Sequence, residues 1–435
     1  MRTFILPVVV VSAAFPLARP LGAQQPVPAA QLSEAGPARP IELHEFLEIV
    51  GHANPDYAAQ RSAVEIARGQ VDVARLFPNP VLSAGYLGDI TGQHMPSVVT
   101  PSLTQAFLLG GKIGAREEAA NAAYSQVMAQ YADFGRTLRA AAAGAYVDAM
   151  VAQMGAERRR QSAEAVDRLA AANLARFQAG DIGEADMLQS RVEELRFRAD
   201  YLAAESVRRV ALLALSAFMG ARGDTLFVPT PYRLAAPQVW RVEALIDSAL
   251  SRRPDVLAAQ RATDVARAQT KVAHADRVTD VAVGVNYQYA TQSTNIIAPS
   301  PTWQALGASI SLPIPLTNAV NRGELEVAEA TLTQSQYVLQ AVQIRAQNEV
   351  RQAYARYTLA AERLGAYSGE LLADAERVLS ARTYSYQRGA APLTDVLIAQ
   401  QAVNDVYLAY YDALGEFLKA TVGLQLAAGL TDIGF

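Results

Sequence analysis

The chain has no cysteine among its 435 residues, and only 7% of them are aromatic. Without cysteine there is no disulfide scaffold, thiolate zinc site, thiol nucleophile or acylated-cysteine anchor. An excess of basic charge is missing too: 38 Lys and Arg stand against 42 Asp and Glu, and a pI near 5.7 offers no general attraction for nucleic acid. Past the N-terminus no run of 18 or more uncharged apolar residues occurs, so no membrane-spanning helix is expected. What remains is a 51% hydrophobic chain, long enough for about two or three ordinary domains.

The N-terminus has Arg2, an apolar run from Phe4 to Phe15 and a small-residue exit at Leu21, Gly22 and Ala23. This is the layout of a secretory signal over residues 1–23, and Pro7, Pro16 and Pro20 argue against a buried helix instead. Its removal takes Arg2 and Arg19 and no acid, leaving 36 basic against 42 acidic residues. Residues 24–40, with Pro26, Pro28, Pro37 and Pro40, read as a flexible lead-in, and residues 431–435 as a tail.

Prolines cluster in short windows and leave Ser102–Val228 and Leu316–Ala391 free, tracts of 127 and 76 residues rich in Ala, Leu, Glu, Gln and Arg. A helix from about Ile113 to Phe177 would run roughly 100 Å at 1.5 Å per residue, and such a helix needs partners along its length. Leu372, Val378, Leu379 and Tyr386, then Leu393, Val396, Leu397, Val403, Tyr407, Tyr410, Leu414 and Phe417 recur at the spacing of a coiled-coil seam. The text also repeats. Asn54-Pro55-Asp56, Ala67-Arg68 and Gln70 return 199 positions later as Arg253-Pro254-Asp255, Ala266-Arg267 and Gln269. Phe177-Gln178, Gly180, Asp186 and Leu188 return 209 positions later as Tyr386-Gln387, Gly389, Asp395 and Leu397. The first unit spans 41–240 and the second 241–430.

Within each unit the helical pattern stops for two strand-like segments. Val281, Val283, Val285, Tyr287 and Tyr289 alternate with Ala282, Gly284, Asn286 and Gln288, and a second strand near Trp303–Leu312 completes a hairpin at about 280–312. Weaker counterparts, Val81–Gly88 and Leu103–Phe107, make a hairpin at about 81–108. Each unit thus reads as helix, hairpin, long helix, tip turn (about 178–184 and 387–393) and helix. An apolar strand face ending in tyrosines opposite a polar face suits a membrane barrel wall. Four strands cannot close a water-filled bore, and unpaired edges in hydrocarbon cost several kcal/mol per group, so closure must come from other copies. The competing reading is a two-layer protein whose strands pack on helices.

Taken together, these features resemble the outer membrane efflux proteins typified by TolC, in wording closest to the CzcC-like branch that serves cation pumps. The resemblance rests on Phe77-Pro78-Asn79-Pro80, on Gln105 to Lys112 with Arg116, on Leu312-Pro313-Ile314-Pro315-Leu316 with Asn321-Arg322-Gly323, and on the Gly-to-Asp turns. It implies a mainly α fold with a small β part: long antiparallel coiled coils and two hairpins per chain, which contribute to a trimeric 12-stranded outer-membrane β-barrel continued by an α-helical barrel. It also implies a homotrimer in outer membrane lipid, extending into the periplasm, with a periplasmic adaptor and an inner-membrane RND pump as partners. At the periplasmic tip it places Asp395 in the bore, with Ile398 where the family has a second acid. It pairs Tyr386 with Asp186 as a latch. The family's intersubunit arginine falls at Ala391, leaving Arg388 as a substitute. Read without the family, Asp186 and Asp395 are helix N-caps.

No catalytic residue, cofactor site or metal site is expected. Gly110-Gly111-Lys112 lacks the earlier glycine of a phosphate loop and reads as a helix start. His44-Glu45 opens like a zinc-protease helix but has Glu48 at the matching fifth position; His44, Glu48 and His52, at i, i+4 and i+8, are a weak metal face at most and more often a solvated stripe, and His94-Met95 in the first hairpin loop is a comparably weak soft-metal candidate. Arg158, Arg159 and Arg160, near Glu157 and Glu164, read as surface pairs. The expected function is passive export through a water-filled bore, with metal cations as cargo. Organic drugs, solvents or a type I secretion substrate are the alternatives. A non-conducting periplasmic coiled-coil protein and a soluble periplasmic enzyme or binding protein are the rivals.

Overall fold

The computed structural model describes residues 39–90, 95–221, 226–230, 237–295, 297, 299–314, 322–367, 369–430 and 434. The expected signal, most of the lead-in and most of the tail lie outside them. Along the chain run β1 (Arg39–Ile41), α1 (Leu43–Ala53), α2 (Pro55–Ala74), β2 (Val81–Leu87), β3 (Val98–Phe107), α3 (Lys112–Gln178) and α4 (Glu184–Phe218). After β4 (Phe227–Pro229) come α5 (Val242–Arg252), α6 (Pro254–Ala275), β5 (Val281–Ala290), β6 (Trp303–Ser311), α7 (Arg322–Ala366), α8 (Gly369–Gln387) and α9 (Leu393–Ala427).

The two halves are built alike because like residues solve like problems. Asn54 starts α2 by accepting from the Tyr57 N–H at 3.0 Å, while its Nδ2 donates to the carbonyl of Phe218, the last residue of α4. At the matching place Arg253 donates from Nη1 to the carbonyl of Ala427, the last residue of α9, and binds Asp255 and Glu349 at 2.7 Å from Nη2. Pro55 and Pro254 follow at the first helical position, where their missing N–H costs nothing. Each half therefore ties the start of its ascending helix to the end of its returning one.

The sequence expectation of four strands and long helices holds, with three differences. β3 begins at Val98, well before Leu103, because β2 pairs with it through Thr100 and Pro101 and β5 pairs with Val98, Val99 and Ser102 on either side of them. The second long helix is interrupted between Ala366 and Gly369, where Gly365, Ser368 and Gly369 lower the local helix propensity. In the lead-in, Arg39 and Pro40 belong to β1, which pairs in parallel with β4.

The core is concentrated at mid-length. One cluster gathers Ile41, Phe46, Val50, Tyr146, Leu212 and Leu215; a second gathers Leu245, Val350, Tyr357, Phe417, Leu418 and Leu424. Tyr146 donates to the Ile41 carbonyl at 2.9 Å and Tyr357 to the Gln238 carbonyl at 2.8 Å, so each cluster anchors the segment that closes it. A small third cluster of Tyr386, Leu393, Val396 and Leu397, with Leu169 against it, sits at the tip far from the strands.

Candidate channel wall and tip

The four long strands form one antiparallel sheet in the order β2-β3-β5-β6. Register decides what each face carries. Leu82, Leu103, Val285 and Ala308 form one cross-strand row, and Tyr86, Val99, Tyr289 and Gln304 another; Tyr287 pairs with Leu306, and Val283 with Ile310. All lie on one face, and Leu82, Tyr86, Leu306 and Ile310 are 73–82% exposed. The opposite face carries the row Ser83, Ser102, Asn286 and Gly307, with the two serine hydroxyls 2.7 Å apart. Glycine leaves room for the polar side chains on that face: a Cβ at Gly307 would meet Asn286 Oδ1 at 2.6 Å, and one at Gly284 would meet Ser309 Oγ at 2.7 Å, so either side chain would have to turn aside. One surface suits hydrocarbon and the other water, and β2 and β6 are left as open edges.

The sheet is fixed to the helices by an ion cluster. Gly111, at φ 75°, turns the chain into α3, and the buried Lys112 places Nζ 2.9 Å from Asp280 and 4.0 Å from Asp276; Arg116 stands 3.7 Å from Asp276. Asp280 also accepts from the Leu109 N–H at 3.1 Å. Burial opposes ionisation of Asp280, but Lys112 and the Leu109 N–H outweigh it and hold its carboxyl below the usual carboxylate range. The Gly110-Gly111-Lys112 phrase is therefore a helix start, its lysine occupied by aspartates.

At the opposite end, both tip turns close in the same way. Gly180 (φ 84°) and Gly389 (φ 74°) take the left-handed conformation; Asp181 N–H reaches Arg176 O and Ala390 N–H reaches Ser385 O, at 2.8 and 2.9 Å. No atom lies within 4 Å of a Cβ built at either glycine, so φ alone demands them. Asp186 and Asp395 are not N-caps. Those positions are Gly183 and Pro392, and both acids lie in the first turn, where they favour the helix dipole.

The four expected tip residues are placed as follows. Tyr386 is buried and donates from its hydroxyl to Asn173 Oδ1 at 2.7 Å; its partner is Asn173 rather than Asp186. The reason is position: Asn173 is a wholly buried residue of the adjoining α3, whereas Asp186 opens α4 and acts on the phenol only through its charge. Burial, reinforced by Asp186 and opposed by Arg176 and Asn173, pushes the Tyr386 pKa up. Asp395 pairs with Arg382 at 2.9 Å. The Arg388 guanidinium lies 4.6 Å from the centre of the Tyr384 ring. Ile398, one turn beyond Asp395, is 67% exposed while Val396, Leu397 and Ala399 are buried.

The other motifs are placed plainly. His44 Nε2 meets Glu48 at 3.3 Å, and among the described residues no three His, Cys, Asp or Glu side chains are arranged to hold a metal. His94 lies outside the described residues. Arg160 pairs with Glu157 and Glu164 as expected, but Arg158 turns away to Glu376 at 3.2 Å and lies 4.0 Å over the Tyr407 ring. Sequence reading passed over Asn173 and the Lys112–Asp280 pair. Asn173 carried a signal, a lone amide in an alanine-rich stretch at a seam position.

A sheet apolar on one face and polar on the other, mounted on helices that run far from it, belongs to a conduit through a membrane and not to a catalytic pocket. The chain belongs to the outer membrane efflux protein family, whose model matches residues 50–221 and 245–430. It is an outer membrane channel of the TolC-like efflux class, without enzymatic function, reaching into the periplasm. It is 24% identical over 392 residues, 90% of this chain and 91% of the other, to the cobalt-zinc-cadmium resistance protein CzcC of Cupriavidus metallidurans. The fold superposes on a crystal structure of CusC with TM-score 0.71 at 19% identity, covering 94% of this chain and 99% of that one. VceC of Vibrio cholerae gives 0.67 at 19% identity over 89% and 96% of the two chains.

Proposed function

We propose that three copies close into one duct, each sheet forming a third of a twelve-stranded barrel and the helices continuing it across the periplasm. The observation that carries this reading is the pair of open edges, β2 and β6, flanking a predominantly apolar face. In hydrocarbon those edges must be paired, and the β6 edge of one copy meets the β2 edge of the next. A second support is the stripe of Leu188, Val192, Leu195 and Leu202 on α4, each 47–63% exposed and spaced for another helix. Such a duct is passive. It works with a periplasmic adaptor and an inner-membrane RND pump, and engagement of those partners shifts the packing of the tips, where Asp186, Tyr386, Arg388 and Asp395 lie. We assign metal cations as cargo, supported by the similarity to the CzcC protein. Purified protein added to planar lipid bilayers is expected to give discrete ion currents and to cross-link as a trimer; a current-free monomer refutes the duct.

A further inference from the structure

Close to the tip a cleft of about 350 Å³ opens between α3 and α8. Its walls include Arg168, Asn173 and Arg176 from α3 and Thr383, Tyr386 and Gln387 from α8, and no lining residue is acidic. Among the described residues neither Arg168 nor Arg176 has an ion-pair partner; Arg176 lies 5.4 Å from the centre of the Tyr386 ring. Asn173 is wholly buried, its Oδ1 is taken by the Tyr386 hydroxyl, and its Nδ2 has no partner among the described residues. The Thr383 hydroxyl is spent on the Leu379 carbonyl. The cleft therefore offers two guanidinium groups, with the orphaned Asn173 amide N–H closed off just behind its wall and reached only when the packing of α3 and α8 yields. A buried donor without a partner is costly, and a group that satisfies it together with two arginines is a carboxylate.

We infer that this cleft is a receptor for the carboxylate of an acidic side chain presented by a periplasmic protein that docks on the tip. The inference rests on the reading of the tip as a docking end. Its place argues for a protein occupant: the cleft adjoins the turns at 179–183 and 388–392, at the end of the helices remote from the lipid-facing sheet. Charge complementarity fixes the sign of the group, and the planar guanidinium fork matches a carboxylate. The cleft has space for roughly ten waters at 30 Å³ each, enough to admit a side chain.

The test uses the full chain in detergent micelles and the probe acetyl-Ala-Glu-Ala-amide, with acetyl-Ala-Gln-Ala-amide as its neutral twin. Phenylglyoxal modification of Arg168 and Arg176 is followed by peptide mass spectrometry, with exposed Arg61 as the internal control. The Glu peptide is expected to slow modification at both arginines at least threefold and leave Arg61 unchanged, the Gln peptide to do neither, and Asn173→Ala to remove most of the protection. Equal protection by both peptides, equal slowing at Arg61, no protection, or protection undiminished in Asn173→Ala overturns the inference. So does slow modification without any peptide, which would mean that a second copy already fills the cleft. Ion current in bilayers is measured on the same preparation, so loss of the duct reading and loss of the carboxylate site are told apart.

Discussion

Replacing Tyr386 by Phe isolates one atom of the tip. The ring keeps its packing against Leu393, Val396 and Leu397, and only the 2.7 Å bond to Asn173 disappears. A neutral hydrogen bond contributes about 0.5–1.5 kcal/mol net, but the acceptor left behind is buried, and stranding such a group costs about 1–3 kcal/mol. At about 1.4 kcal/mol per tenfold, a loss of 1–3 kcal/mol multiplies local opening of the tip roughly 5- to 150-fold in each subunit. The raised pKa keeps the phenol protonated at neutral pH, so the loss is of a neutral bond and is independent of pH between about 6 and 9, all of it below the ordinary tyrosine pKa of about 10. Hydrogen–deuterium exchange of the intact protein reads this directly. Amides of 380–397 are expected to exchange faster by that factor while the mid-length clusters around Leu215 and Leu418 stay protected. The double variant with Asn173→Ala should be less destabilised than the sum of the single ones, because each removes the same bond. Exchange at 380–397 within twofold of the parent, or acceleration spread evenly over the chain, would refute the reasoning.

If Asp186 helps hold the tips together, Asp186→Ala raises single-channel conductance in planar bilayers, and an unchanged conductance removes it from the latch. Val285→Arg on the outer sheet face is expected to cost about 2–4 kcal/mol near the bilayer midplane, seen as a fall in membrane-inserted protein on fractionation. Gly389→Ala forces a left-handed φ on a residue with a Cβ and should cost about 1–2 kcal/mol, seen as a lower urea midpoint for the tip with no change in the sheet. Asp255 and Asp280 both titrate below the ordinary carboxylate range, Asp255 because the opposing effect of its burial is outweighed by Arg253 and Arg136. Their contribution is present above about pH 4, the ordinary Asp value, and is lost as pH falls through the lower folded values. Lys112→Met should weaken that acid dependence at the junction, leaving the share due to the Leu109 N–H and Arg116, which thermal melts between about pH 2 and 6 can measure.

Much of the fold is legible because its signals are local and long. The bounds of α3, Lys112 to Gln178, fall within a residue of those read from proline spacing and composition, and β5 alternates apolar and polar side chains over its length. β3 was half hidden, since Pro101 and Ser102 have no strand signature of their own and the stretch is held extended by pairing with β2 along its length. The break before Gly369 went unread although Gly365, Ser368 and Gly369 are written there, because the surrounding helical text is so strong. At the tip, positions were legible and partners were not. Tyr386 was found from the repeat, but its bond to Asn173 depends on how α8 lies along α3, a relation across 213 residues that no periodicity encodes.

The unequal halves have a mechanical consequence. α3 descends as one rod of 67 residues, whereas its counterpart is two pieces, α7 of 45 and α8 of 19, joined at a short break. A force along the helices meets one continuous backbone hydrogen-bond ladder in one half and two separate ladders in the other. Tyr386 is carried by the shorter piece and Asn173 by the continuous helix, so their hydrogen bond joins the two kinds of limb.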